Sequence, residues 1–228
     1  FPQKGFSLAW EFHGGRAAVR TDTGLGYIDT TGKLVIDSRY SDAGEFKDGL
    51  ASVRLNGSNL YGYIDTNGSS VIPPRFTFAS SFSEGLAVVT LDNGKTVVYI
   101  DRTGKTILSP GIPGAGAFHE GLAAITADGK TGYIDRTGSV VVKPRYDFGG
   151  SFCEGMAAVQ KGKKMGFIDR SGSEVIPLEW DEVNNFSEGL ARVKKNGKAD
   201  FIDKTGKIYP LQSDSVYAAY FHEGYAAI

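Results

Sequence analysis

The feature that most constrains this chain is a phrase that returns every 34 to 36 residues. "EGLAAI" begins at Glu120 and "EGMAAV" begins at Glu154, and similar phrases occur along the whole sequence. A phenylalanine marks each copy, at Phe12, Phe46, Phe82, Phe118, Phe152, Phe186 and Phe221. A unit of this length is one small supersecondary motif that cannot bury its own apolar face. Neighbouring units are therefore expected to stack on one another.

A second marker, the aspartate that ends "GYID" or "FID", fixes the register of the repeats. It stands at Asp29, Asp65, Asp101, Asp135, Asp169 and Asp203. The two markers together predict a single repeat domain over residues 1–228, with six complete units and an extra half unit. Because the chain begins at Phe1 without a charged and then apolar leader, we expect it to be a processed or excised piece of a longer protein.

Composition sets the limits within which the repeats are interpreted. The 228 residues are 41% hydrophobic, which suffices for one large or two small domains. The 25 basic and 26 acidic residues nearly cancel, so no chain-wide field attracts nucleic acid. The single cysteine, Cys153, excludes an internal disulfide and leaves both exported and cytoplasmic locations open. No apolar run approaches the roughly 20 residues of a transmembrane helix.

Within one unit, the local signals are those of short strands joined by tight turns. "LASVR" (Leu50 to Arg54) and "YGYID" (Tyr61 to Asp65) are rich in β-branched and aromatic residues, and the dipeptide Asn56-Gly57 between them favours a hairpin. The pattern D-x-x-G follows, in which the aspartate accepts turn amides and the glycine takes a positive φ. At least three antiparallel strands per unit are predicted.

The fourth segment of each unit is ambiguous. In "YSDAGEFKDG" the retained positions Tyr40, Ala43 and Phe46 are three residues apart, whereas a half-buried strand alternates every two. A distorted strand and one turn of 3₁₀ helix both remain open. The order of the turns favours an all-β propeller-like ring of tandem repeats with three or four short strands each, and an open β-solenoid or superhelix is the alternative.

The stretch "GYIDRTGSVVVKPRYDFGGSFCEGMAAV" (Gly132 to Val159) resembles the bacterial WG repeat, and the resemblance covers essentially the whole chain. The tryptophan that names that family is replaced here, by Leu25, Tyr61, Thr131 or Met165, although the following glycine remains. The resemblance implies a non-catalytic repeat scaffold with no assigned catalytic residue. It also implies interactions with proteins or with the cell envelope, and it slightly favours the bacterial periplasm or cell surface over the cytoplasm.

The titratable residues offer few catalytic candidates. His13, His119 and His222 share the position after the marker phenylalanine, where other units carry lysine, serine or Cys153. So mixed a position is typical of an exposed turn. A transition-metal centre needs three or four convergent ligands, so the sequence predicts no metal site, no cofactor and no catalytic residue.

Carboxylates recur more regularly than any other chemically active group. One series precedes the glycine of the phrase, at Asp48, Glu84, Glu120, Glu154, Glu188 and Glu223, and the "ID" aspartates form the second. We expect each carboxylate to satisfy amides in its own turn. A ring of negative charge that binds a cation or a basic partner is the functional alternative.

Two hairpin loops break the repetition with lysines, in "QKGKKM" (Gln160 to Met165) and "KKNGKA" (Lys194 to Ala199). Equivalent loops of stacked units are neighbours, so one basic patch is predicted. It comprises Lys161, Lys163, Lys164, Lys194, Lys195 and Lys198, with Arg192 close by. Such a patch is either a solvated edge that discourages strand pairing or a site for an anionic partner, which would be an acidic protein face, an envelope polymer or lipid headgroups.

Two classes of function follow from these observations. The first is a binding or assembly module, and the second is an enzyme or ligand-binding propeller with its site at one pole. The sequence contains no glycine-rich phosphate loop, metal-ligand spacing or nucleophile elbow. It therefore favours the binding module, with a protein or an anionic envelope component as partner and without nucleic acid.

Overall fold

The computed structural model describes residues 6–91, 94–111, 114–211, 221–222 and 225–226. The chain divides into two compact units, unit 1 (Phe1–Pro113) and unit 2 (Gly114–Ile228). The single repeat domain over residues 1–228 stays a prediction. Within the described residues there is no helix that could cross a membrane.

Unit 1 is built from antiparallel strands in two sheets. Its strands are β1 (Leu8–Ala9), β2 (Arg16–Thr21), β3 (Gly24–Asp29), β4 (Leu34–Ala43), β5 (Leu50–Leu55), β6 (Tyr61–Asp65), β7 (Ser70–Phe76), β8 (Phe78–Ala79), β9 (Ala87–Leu91), β10 (Thr96–Ile100) and β11 (Thr106–Leu108). The first seven form one sheet in chain order, and β8 to β11 form a four-stranded sheet. The first sheet is larger because β4 continues from the outer strand of one repeat into the first strand of the next.

Unit 2 repeats the four-stranded sheet three times. Its strands are β12 (Gly114–His119), β13 (Leu122–Ala127), β14 (Lys130–Asp135), β15 (Val140–Tyr146), β16 (Phe148–Cys153), β17 (Met156–Lys161), β18 (Lys164–Asp169), β19 (Glu174–Trp180), β20 (Glu182–Val183), β21 (Leu190–Lys195), β22 (Lys198–Asp203), β23 (Ile208–Pro210), β24 (Phe221–His222) and β25 (Tyr225–Ala226). Strands β12 to β15, β16 to β19 and β20 to β23 form these sheets, and β24 pairs with β25. The prediction of short antiparallel strands in tandem repeats is confirmed.

The ambiguous fourth segment is the first strand of each repeat, and in β12 and β16 this strand is bulged. In β16, Gly149 pairs with Val159 and Phe152 pairs with Ala157, so three residues advance against two on the partner strand. The same bulge separates Ala115 from Phe118 in β12. A bulge inserts one extra residue into the strand and bends it, which explains the spacing of three in the sequence.

The predicted turns form with the glycines where they are needed. Asp128-Gly129 and Asn196-Gly197 both have positive φ at both residues, which is the geometry of a two-residue type I′ hairpin. The phrase "EG" makes a second turn of this kind in each described repeat, for example with φ of 53° at Glu120 and 75° at Gly121.

The glycine of "GYID" has a different role, because its lack of a side chain lets the outer strand approach closely. A Cβ on Gly132 would lie 2.3 Å from the carbonyl oxygen of Val142, and a Cβ on Gly166 would lie 2.4 Å from that of Ile176. The outer strand therefore bulges closely over the glycine. Val98 takes this place in one repeat and Asp200 in another, and there the outer strands β11 and β23 have only three residues each.

The core lies between consecutive repeats and is tied by buried tyrosines. The Tyr133 ring packs edge-on against the marker Phe152 of the next repeat, with centroids 5.0 Å apart, and its hydroxyl donates a 2.7 Å hydrogen bond to the Gly150 carbonyl. Tyr27 and Tyr63 repeat the arrangement in unit 1. Burial raises the pKa of all three tyrosines far above its ordinary value.

Candidate functional site

The "ID" aspartates serve their own turns, as predicted. Oδ1 of Asp135 accepts hydrogen bonds from the N–H of Thr137 at 2.9 Å and of Ser139 at 3.0 Å, and from the Thr137 hydroxyl at 2.6 Å. Equivalent bonds surround Asp29, Asp65, Asp101, Asp169 and Asp203. The hydroxyl bond is the main reason that the pKa of Asp135 is lowered, and the turn amides add to it.

Three of the marker carboxylates, in contrast, serve the turn of the next repeat, and for these three the prediction that they satisfy their own turn is wrong. Oδ2 of Asp48 accepts the N–H of Gly85 at 2.7 Å, and Oε2 of Glu120 accepts the N–H of Gly155 at 2.7 Å. Glu154 does the same for Gly189 at 3.0 Å. All three residues have a left-handed backbone, with φ of 50° at Asp48 and 53° at Glu120 and Glu154.

Glu154 carries an additional partner, the ammonium of Lys204 at 3.0 Å. Burial alone would raise the pKa of Glu154, but Lys204 and the N–H of Gly189 outweigh it and lower the pKa. These carboxylates hold repeats together. Glu223 lies outside the described residues.

The position after the marker phenylalanine carries different residues in different repeats, and the side chains that the structure describes do not form a common cluster. Nε2 of His13 lies 3.5 Å from Oε1 of Glu45. Burial, with Glu120 and Glu154 nearby, raises the pKa of the Cys153 thiol, so the thiolate is disfavoured. The side chain of His222 is outside the described part of the chain. Among the described residues, no three histidine, cysteine or acidic side chains converge as metal ligands would.

The six predicted lysines lie on two neighbouring hairpins of unit 2, and together we call them the lysine edge. Lys161 is directly opposite Lys164 where β17 turns into β18, and Lys195 is opposite Lys198 where β21 turns into β22. Lys163 is exposed in the first loop. The structure thus places the predicted lysines at equivalent ends of consecutive hairpins.

Acidic residues outside the predicted basic patch lie between these lysines. Four ion pairs result, which are Lys164–Asp181 at 2.6 Å, Lys194–Glu182 at 3.0 Å, Lys195–Glu179 at 2.7 Å and Lys198–Asp200 at 3.5 Å. Lys161 and Lys163 make no ion pair with any described residue. The lysine edge is therefore a surface of alternating charge in which two lysines are unpaired.

Asp181 and Asp147 connect each hairpin to the next. Oδ1 of Asp181 pairs with Lys164 of the fifth repeat, while its Oδ2 accepts the N–H of Asn196 in the sixth at 2.7 Å. Asp147 likewise pairs with Lys130 and accepts the N–H of Gly162. The lysine is the first cause, and the backbone bond the second, of the lowered pKa of each aspartate. In the sequence, the signal for these bridges is an aspartate just before the first strand of a repeat, which is Asp147 before β16 and Asp181 before β20.

Arg192, which was predicted to lie close to the lysines, is mostly buried. It stands where other repeats place Ala18, Ser52 or Ala158, and its side chain is only 11% exposed. Nη1 lies 4.0 Å from Oε2 of Glu182, and the buried Nε has no hydrogen-bond partner among the described residues. Of these four equivalent residues, Arg192 is the charged one.

A groove opens beside the lysine edge, at the junction of the fourth and fifth repeats. It has a volume of about 630 Å³. Its lining residues are Val141, Val142, Lys143, Arg145, Lys161, Ser171, Gly172, Ser173 and Glu174. We call it the basic groove. Lys143 and Arg145 are not among the predicted residues because they are in the outer strand of one repeat, and only stacking brings them beside Lys161 of the next.

Comparison with known proteins identifies the repeat. The family model for the "WG containing repeat" matches residues 26–58, 61–95, 99–130, 132–164 and 165–198. These segments cover most of the chain and follow the register of the sheets. No curated protein matches the sequence significantly.

Solved structures are similar in fold at low sequence identity. Virginiamycin B lyase from Staphylococcus aureus is 15% identical with a TM-score of 0.50, over 92% of this chain and 85% of the lyase. Hsv2 from Kluyveromyces marxianus is 11% identical with a TM-score of 0.53, over 95% and 79%. Hsv2 from Kluyveromyces lactis is 13% identical with a TM-score of 0.51, over 85% and 73%. These proteins are propeller-like, so the likeness supports the predicted propeller-like repeat fold. The open β-solenoid stays the alternative.

Proposed function

Because this chain belongs to the family of WG-containing repeat proteins, we propose that it is a non-catalytic repeat scaffold that binds a partner through its surface. The partner is an acidic protein or an anionic component of the cell envelope, and the lysine edge is the binding surface. The similarity to a lyase at 15% identity concerns the fold and is no basis for proposing a reaction.

The observation that carries the proposal is that lysines stand directly opposite each other in two cross-strand pairs. Lys161 faces Lys164 across one hairpin end, and Lys195 faces Lys198 across the next. Like charges directly opposite each other on neighbouring strands destabilise the sheet. The equivalent pairs elsewhere are Thr21 with Gly24 and Ala127 with Lys130, which avoid this repulsion. A local cost that the fold does not require is expected at a functional surface.

The recurrent polar groups support the same division of roles. The "ID" aspartates hold turns, the marker carboxylates connect repeats, and the buried tyrosine hydroxyls serve backbone carbonyls. These groups are engaged in folding the chain. Specificity for a partner is then expected at positions that differ between repeats, where the lysine edge is the largest departure.

The ion pairs of the lysine edge do not prevent binding. Lys164 and Asp181 are 42% and 40% exposed, and Lys195 and Glu179 are similarly exposed. Pairs this exposed contribute only about 0–1 kcal/mol each. An anionic partner that contacts several lysines together can therefore replace individual partners on the surface, while Lys161 and Lys163 are available from the start.

The test is capture of partners from native extract with wild-type protein and with a variant in which Lys161, Lys163, Lys164, Lys194, Lys195 and Lys198 are changed to Ser. We expect the variant to keep its fold by circular dichroism and to lose most captured partners. Capture by the wild type should weaken as salt rises, because exposed charges are screened within about 10 Å at 0.1 M.

A smaller substitution has a matched control in the same chain. The double variant Lys163→Ser/Lys194→Ser removes two charges from the lysine edge without touching the basic groove. Lys33→Ser/Lys105→Ser removes two exposed lysines from turns of unit 1. We expect capture to fall in the first variant and to stay at the wild-type level in the second. Equal, salt-independent recovery by all versions would reject the lysine edge as the binding surface.

A further inference from the structure

The basic groove has three cations around one carboxylate. Lys143 is in β15 of the fourth repeat, and Lys161 ends β17 of the fifth. Both side chains are exposed, and neither makes an ion pair within the described ranges. Lys161 does lie near Asp147, but that carboxylate is already bonded to Lys130 and to the N–H of Gly162. The two ammonium groups are thus available to a ligand.

Arg145 provides a fixed positive charge at the same junction. Its Nη2 donates to the carbonyl of Gly172 at 2.7 Å and to the hydroxyl of Tyr146 at 2.9 Å. The bond to Gly172 joins the outer strand of the fourth repeat to the turn of the fifth, and the bond to Tyr146 stays within β15. The guanidinium carries more donors than these two bonds use, so it contributes both charge and hydrogen-bond donors to the groove.

Hydroxyl groups and a carboxylate complete the polar lining. The Ser171 hydroxyl donates to Oδ1 of Asp169 at 2.6 Å, and it lies 2.9 Å from the hydroxyl of Ser173. The neutral bond of Ser173 can be exchanged for one to a charged ligand oxygen, which is stronger. Among the described residues, Tyr146 is the one hydrogen-bond partner of Glu174, and its bond to Oε1 is long, 3.4 Å. That carboxylate can therefore accept a hydrogen bond from a ligand hydroxyl.

An equivalent groove in unit 1 shows which residues make this one basic. It lies between the first and second repeats, has a volume of about 190 Å³, and includes Arg39, Leu55 and Ser70 in its lining. Arg39 corresponds to Arg145. Position by position, Leu55 stands where Lys161 is, Asp37 where Lys143 is, and Ser70 where Glu174 is. The arginine is therefore shared by the architecture, whereas the two lysines and the glutamate distinguish the basic groove.

We propose that the basic groove binds a phosphorylated polyol, with the phosphoryl group between Lys143 and Lys161 and a ligand hydroxyl on Glu174. Two ammonium groups, a guanidinium and a serine hydroxyl match the charge and the acceptor oxygens of a phosphate monoester. Val141 and Val142 supply apolar contact for its carbon atoms. The volume is in the range typical of small-molecule sites.

The carboxylate of Glu174 narrows the ligand class. A purely anionic ligand that filled the groove would be repelled by it. A ligand with a phosphate at one end and hydroxyl groups at the other would satisfy both charges. This inference deepens the proposed function, since Lys161 belongs to both surfaces, but Lys143 and Glu174 belong to the groove alone.

The test is calorimetric titration of the whole chain at low salt with glycerol 3-phosphate, inorganic phosphate and glycerol. We expect saturable binding of glycerol 3-phosphate, weaker binding of inorganic phosphate and none of glycerol. Lys143→Asp and Lys161→Leu, which install the residues found at the corresponding positions of unit 1, should each weaken binding of glycerol 3-phosphate by about tenfold or more, because each removes a charge-assisted contact. Lys163→Ser, the adjacent lysine outside the groove, should change it less than about twofold.

Glu174→Ser tests the hydroxyl contact separately. It should tighten inorganic phosphate and reduce the preference for glycerol 3-phosphate over phosphate. The proposal is overturned if the wild type shows no saturable binding, or if Lys143→Asp and Lys161→Leu bind as the wild type does while their melting temperatures are unchanged. Partner capture by Lys143→Asp should equal that of the wild type, so failure of the groove and failure of the lysine edge are distinguishable.

Discussion

The carboxylate of Glu120 accepts a 2.7 Å hydrogen bond from the backbone N–H of Gly155, which occupies the same turn one repeat later. Glu120 holds this position with a φ of 53°, in the left-handed region that disfavours most residues. The first copy of the turn has Gly14 in this place. A glutamate is thus used where glycine would be less strained, and the bond to the next repeat offsets the strain.

Replacement of Glu120 should separate the bond from the strain. Glu120→Ala loses the acceptor and keeps a side chain in the left-handed conformation, so we expect unit 2 to lose about 1–2 kcal/mol of unfolding free energy. Glu120→Gly loses the same bond but relieves the strain, and should cost less. Urea denaturation measures both. Equal stability of Glu120→Ala and wild type would show that the bond contributes nothing.

Tyr133→Phe removes the hydroxyl that donates to the Gly150 carbonyl. The ring would still pack on Phe152, so the expected loss of about 1–2 kcal/mol comes from a partly buried carbonyl that loses its donor. The fifth repeat has Phe167 at this position, where its ring contacts Phe186 with centroids 4.7 Å apart. Thermal or urea unfolding measures the loss, and an unchanged midpoint would mean that water or a rearrangement satisfies the carbonyl.

Gly132→Ala tests the close approach of the outer strand. The new Cβ would lie 2.3 Å from the Val142 carbonyl oxygen and 2.5 Å from the nitrogen of Pro144, both of which are backbone atoms. Overpacking of this kind costs about 1–3 kcal/mol. Gly116→Ala is the matched control, since its Cβ would meet the nearest atom at 3.5 Å. If both variants unfold at the same denaturant concentration, the glycine is not required by the bulge.

Asp135→Asn should flatten the dependence of stability on pH in acid. The pKa of Asp135 is lowered in the folded state, chiefly by the Thr137 hydroxyl, so the ionised form favours folding. This contribution is complete above the unfolded value of about 3.9 and is lost as the pH falls through the lower, folded pKa. With asparagine, one proton fewer is taken up on unfolding. Urea midpoints measured across this acid range should therefore fall less steeply, and an unchanged slope would contradict the shift.

The local structure could be predicted from the sequence because its causes are local. Turn residues, β-branched runs and the 34 to 36 residue period determine the strands, the hairpins and the family resemblance. The bond between Asp135 and the amides of its own turn spans only two to four residues. Even the spacing of Tyr40, Ala43 and Phe46 was a correct sign of distortion, although the sequence did not separate a bulged strand from a 3₁₀ turn.

The tertiary structure decided which residues of different repeats meet. Glu120 caps Gly155 rather than its own turn, Asp181 lies on Lys164, and Lys143 borders the same groove as Lys161. These contacts join residues between 17 and 37 positions apart, counting the Asp48–Gly85 bond. Their geometry depends on how one sheet is rotated and shifted against the next. A repeat period shows that units stack, but side-chain contacts between units follow from the packing of buried tyrosines and phenylalanines, which no local pattern in the sequence specifies.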